Sequence, residues 1–191
     1  MFRLIYSVVL LLASFAVQAG EVQHAYVTYR DGDYSVDIAV KINGARDTVY
    51  AIATDYKQMS RLSDMIIEAG MINYTDANGN TGVLRRMVTK SCILGFCFDA
   101  ILIEDLWEQE SGTIKSVFIP EESDFLYGEA IWQISSVDAT HTLVTFSSKF
   151  KPAFWIPPLI GPLFIKRMML DAAKQSIQNI EDIAALETPR P

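Results

Sequence analysis

Two histidines and two cysteines are all this 191-residue chain carries of the side chains that most often serve as nucleophiles, bases and metal ligands. His24 reads as part of a flexible N-terminal segment, and His141 falls at a turn, Asp138-Ala139-Thr140-His141. Neither is placed for a Ser–His–Asp or Cys–His arrangement. No cluster has metal-ligand spacing, and no glycine-rich loop is set to cradle phosphate. Basic charge is also scarce, with 16 Lys and Arg against 23 Asp and Glu and a net charge of −7. That balance argues against nucleic acid, which requires basic clusters, and against a polybasic anchor on anionic lipid. There is no internal repeat and no low-complexity linker. These absences leave no catalytic residue, metal site or cofactor to name. Asp99 and Glu104 lie among apolar residues where a carboxylate can serve as an acid–base group, but nothing pairs them.

What is present begins with a leader. Arg3 precedes an apolar run from Leu4 to about Val17, which closes on Val17-Gln18-Ala19. This pattern predicts a secretory signal peptide over 1–19, with the mature chain starting near Gly20 and residing in the periplasm. The alternative is an uncleaved anchor, but the run is short for a span and no charged stop-transfer segment follows. No cysteine follows the cleavage point, which argues against a lipoprotein. Removing the leader takes away Arg3 and no acid, moving the net charge from −7 to −8. About 170 residues remain, the size of one domain (20–186, then a polar tail, 187–191). Cys92 and Cys97 flank Gly95, a spacing that predicts a disulfide across the end of a β-hairpin in an oxidising compartment. The alternative is two buried thiols.

Tyr34–Ile42 alternates as a first strand. Ala45–Tyr56 then shows helical spacing at Val49, Ile52, Ala53 and Tyr56, and Gln58–Leu62 reads as a second short turn. Period two follows through Met65–Tyr74, Val83–Ser91, Cys97–Trp107, Thr113–Ile119, Phe125–Ser135 and His141–Phe150, with Asn78-Gly79 as a hairpin signal. Trp107 and Trp132 read as core. A long helix starts near Pro162 and runs to about Ala185, with Ile165, Met169, Ala172, Ala173, Ile177, Ile180 and Ala184 on one stripe. Strands bracketed by helices make an α+β pattern, and a curved antiparallel sheet against this helix buries the stripe.

Three segments carry a resemblance: DTVYAIATDYKQMSRL at 47–62, PEESDFLYGEAIW at 120–132, and PAFWIPPLIGPLFIKRMMLDAAKQSIQNIEDIA at 152–184. Together with the element order, they resemble the START-like or SRPBCC superfamily, which includes polyketide cyclase/dehydrase and coenzyme Q-binding types. The resemblance implies a helix-grip fold, in which the sheet wraps the C-terminal helix around an apolar cavity. It implies a partner that is a hydrophobic small molecule such as a lipid, quinone or polyketide-like compound. It also leaves two other roles: a cyclase- or dehydrase-like enzyme using the same cavity, or an interaction and envelope-maintenance module whose cavity is filled by its own side chains.

Pro152–Ile165 contains no charged residue. It is too short, and too broken by Pro157, Pro158, Gly161 and Pro162, to span a membrane. It reads as a loop that seals the sheet, as the mouth of the cavity, or as both. In the mouth reading Phe154, Trp155, Leu159 and Phe164 touch a ligand or, transiently, a membrane surface. The helix start is apolar on more than one face, which places Met168 and Met169 in an adaptable wall; the alternative is packing under nearby loops. Arg85 and Arg86 are adjacent and point to opposite faces of a strand. One of them can orient a ligand carboxylate or headgroup, with Arg85 the candidate, or it pairs with Asp99 or Glu104.

Overall fold

A computed structural model describes residues 20–75, 81–93 and 96–187. The predicted signal segment, the Asn78-Gly79 turn, Gly95 and the end of the polar tail lie outside them. The strands are β1 (Glu21–Arg30), β2 (Asp33–Asn43), β3 (Ile66–Thr75), β4 (Thr81–Ile93), β5 (Phe96–Glu108), β6 (Thr113–Phe118), β7 (Phe125–Ser136) and β8 (His141–Pro152). They form one antiparallel sheet in the order β1-β2-β8-β7-β6-β5-β4-β3. Helix α1 (Arg46–Ala53) and a tight turn at Tyr56–Arg61 connect β2 to β3, and α2 (Gly161–Glu187) closes the chain.

Strand β1 corrects the sequence reading, which began the sheet at Tyr34 and left His24 in a flexible segment. Residues 21–30 instead pair with β2, and His24 hydrogen-bonds Asp37. A register shift between Val22 and His24 breaks the alternation that would have exposed the strand in the sequence. The turn between β1 and β2 was not identified in the sequence reading. Asp31 and Gly32 both have positive φ, 54° and 94°, as the two-residue hairpin turn favoured by Asp-Gly requires.

The inner face of β2 supplies Tyr34, Val36, Ile38, Val40 and Ile42, all buried. Helix α2 answers with Ile165, Ile177, Ile180 and Ala184. Each buried isoleucine contributes about 1.5–3 kcal/mol relative to exposure. Polar residues beside the stripe pin the segment after α1. Gln175 Oε1 accepts from Ser63 Oγ (3.0 Å) and from the Asp64 amide (2.7 Å), and Asn179 donates to the Leu62 carbonyl (3.1 Å). No described helix is long and apolar enough to cross a membrane. Trp132 packs on Phe146 with ring centroids 4.3 Å apart. Trp107, expected in the core, is 48% exposed on the outer face of β5, because Leu106 takes the inward position beside it.

Candidate functional site

The inner face of the sheet divides into two halves. Around β2, α1 and the second half of α2 the large side chains are buried. Helix α2 runs near β1, β2 and α1 along its backbone. Towards β4, β5, β7 and β8 the picture changes. Met87, Phe98, Leu102, Leu106, Trp132 and Phe146 share the inner face by register, yet all remain only half-buried. On the first turns of α2, Phe164, Met168, Met169 and Leu170 are also half-buried, and Met168 reaches Ser91 on β4. A close-packed core leaves no such surface. Leu106, Trp132, Phe146, Phe164, Met168 and Met169 pack against the buried cluster, yet all keep part of their apolar surface uncovered in the space between the start of α2 and the far half of the sheet.

The rim of this space is built by the segment before α2. Phe154 is held between strands, with ring centroids 5.2 Å from Phe98 and 6.3 Å from Phe125. Ser91 Oγ donates to Met168 Sδ at 2.9 Å, tying β4 to the helix. Ile156 is buried, and the Gly161 amide donates to the Pro157 carbonyl at 2.8 Å to start the helix. The extended chain here alternates sides. Phe154 and Ile156 therefore turn inward, while Trp155 is 78% exposed. Leu159 (97%) and Leu163 (72%) are exposed as well. Of the residues expected at the mouth, Phe154, Phe164, Met168 and Met169 are half-buried and pack against the core cluster, whereas Trp155 and Leu159 are exposed.

Cys92 and Cys97 are register partners at the end of the β4–β5 hairpin and form a disulfide, with Cα atoms 4.0 Å apart. The bond fixes the hairpin tip, whose inner residues Ser91 and Phe98 touch Met168 and Phe154.

Arg85 sits inside but is not a free cation. Register places it opposite Glu104, and its Nε and Nη2 donate to Glu104 Oε1 at 2.7 and 2.5 Å. Its Nη1 points at Met59 Sδ (3.4 Å), and the guanidinium lies 5.1 Å from the Tyr56 ring centroid. Arg85 is 4% and Glu104 1% exposed. Asp99, the other candidate partner, lies opposite Lys90. Arg86, on the outer face, pairs with Glu68.

One cluster had no signal in the sequence. Tyr50 donates to Glu108 Oε2 at 2.5 Å and Tyr56 to Oε1 at 2.8 Å, fastening α1 and the following turn onto β5. Burial, then the Glu108 carboxylate, pushes the Tyr50 phenol up to about 12 and raises Tyr56 as well. Contacts more than fifty residues apart leave no local pattern to read.

His24 and His141 face Asp37 and Asp138 at the surface. Among the described residues no three His, Cys, Asp or Glu side chains are grouped to hold a metal. The outer face carries a shallow groove of about 380 Å³ with Tyr26, Asp37, Glu129, Ile131 and Lys149 on its walls. Its lining is mixed and charged, unlike the inner space.

The sequence matches no family model and shows no significant similarity to a curated protein. Solved structures do share its architecture. A START superfamily protein from Mycobacterium smegmatis superposes with a TM-score of 0.59 at 14% identity, covering 81% of this chain and 99% of that one. The Zhui aromatase/cyclase from Streptomyces sp. R1128 gives 0.58 at 12% identity, covering 80% and 94%. Human STARD10 gives 0.56 at 12% identity, covering 85% and 75%. With an eight-stranded curved sheet gripping a C-terminal helix, the chain has the START-like, helix-grip fold.

Proposed function

We propose that this protein binds a hydrophobic small molecule, of the lipid, quinone or polyketide-like class, between the first half of α2 and strands β4–β8. The observation that carries this reading is the row of large apolar side chains left half-buried on the inner face, from Met87 and Leu102 across to Met168. An apolar ligand supplies the missing contact surface. The methionines suit a wall that adapts to such a ligand. The knob of Trp155, Leu159 and Leu163 beside the rim offers a hydrophobic contact with a membrane, from which an apolar ligand would be exchanged. Lys166 and Arg167, one turn behind Leu163, are exposed, with Arg167 paired to Asp171. The signal-like leader and the disulfide together support an exported, periplasmic carrier. A cyclase-like role needs a polar group free to reach a reacting atom. The two buried charges nearest the space, Arg85 and Glu104, are engaged with each other, which favours carriage over catalysis.

A fluorescent fatty-acid or quinone analogue tests this directly. The expected result is saturable binding at one equivalent. Met168→Arg, which puts a charge in the apolar wall, should weaken binding about tenfold or more, a loss of roughly 1.4 kcal/mol. Absence of saturable binding by any such probe would overturn the reading.

A further inference from the structure

We propose that Glu181 is the receptor for the amino terminus of the processed chain, and that Gly20 is the residue it receives. The inference rests on the reading of residues 1–19 as a cleaved signal and adds a site to it. Gly20 N donates to Glu181 Oε1 at 2.9 Å, and the same oxygen accepts from the Asn43 amide at 2.7 Å. Glu181 is half-buried on α2, next to the buried Ile180 and one turn after the buried Ile177. A carboxylate in such a position loses water, and two neutral N–H groups on one oxygen compensate it less than a cation would. The space at residue 20 admits no side chain. A Cβ there would lie 2.4 Å from the Lys41 carbonyl oxygen, 2.5 Å from Glu181 Oε1 and 2.8 Å from Ile177 Cγ2. The first residue after Val17-Gln18-Ala19 is thus the one residue type that fits against the carboxylate.

Cleavage supplies the cation. A signal peptidase adds water across the Ala19–Gly20 amide. The carbonyl carbon gains the oxygen and leaves as the Ala19 carboxylate, and the Gly20 nitrogen takes the protons to become an ammonium. An amide-to-carboxylate hydrogen bond becomes an ion pair at the same nitrogen. Processing then fastens β1, an edge strand, to the last turns of α2.

Two measurements test this. Intact-mass analysis of the exported protein should give Gly20 as the first residue; a start elsewhere overturns the proposal at the cleavage reading. Melting temperatures are then compared for a chain beginning at Gly20, released without a scar, and one retaining Val17–Ala19, which carries its ammonium roughly 10 Å further along the chain. The Gly20 form should melt about 2–4 °C higher. In Glu181→Gln, which keeps the acceptor oxygen and loses the charge, that difference should vanish. A Gly20 start with equal melting temperatures, or with a difference that survives Glu181→Gln, overturns the receptor role while leaving the signal reading intact.

Discussion

Arg85 and Glu104 show what a single residue can and cannot disclose. Parity alone puts one of two adjacent arginines on the inner face. Choosing its partner needs the register of β4 against β5, which sets Glu104 opposite and Asp99 out of reach. The pair is fully buried, so its value lies in mutual neutralisation. Glu104→Ala should destabilise the protein by about 3–5 kcal/mol, because it strands a buried guanidinium. The double replacement Arg85→Met with Glu104→Leu should cost far less. Denaturant melts of the two variants check this, and equal losses would argue against a buried, coupled pair. The Tyr50–Glu108–Tyr56 link belongs to the same scale and was illegible for the same reason: no local pattern encodes a contact between residues more than fifty apart.

Elements were more legible than contacts. Among the described residues, seven of the eight strands and both α-helices follow from hydrophobic periodicity, and α2 begins at Gly161 beside the predicted Pro162. Strand β1 escaped because its bulge shifts the inward side partway along. Trp107 was misplaced because the run Ile101–Trp107 is apolar on both faces, so hydrophobicity did not say which side was inside. The cysteine spacing did predict its pairing. The disulfide closes a short loop between residues five apart in sequence. Cys92→Ser should therefore cost about 2 kcal/mol or less. Thermal melts with and without reductant should show the same modest drop in the parent protein and none in the variant.

The candidate site belongs to the whole molecule, which is why the sequence disclosed it only in part. Periodicity identifies which residues face inward, such as Leu102, Phe146 and Met168. It cannot tell that the helix lies against β1 and β2 and leaves these residues half-buried. The apolar run before α2 was visible as an anomaly, but its division into inward Phe154 and Ile156 and outward Trp155 and Leu159 required the path of the chain. That division yields a prediction. Replacing Trp155 and Leu159 together by alanine should change stability by less than about 0.5 kcal/mol, as for other exposed positions. It should also abolish co-sedimentation with phospholipid vesicles. A large loss of stability, or vesicle binding left intact, would contradict a membrane-facing role for the knob.

The central claim is that the space between α2 and the far half of the sheet holds an apolar ligand. Native mass spectrometry of the protein purified from the envelope of its own host tests it most directly. The account predicts a stoichiometric adduct that organic extraction releases as a lipid, quinone or related apolar compound. A bare protein that also takes up none of a panel of lipids and quinones would contradict it.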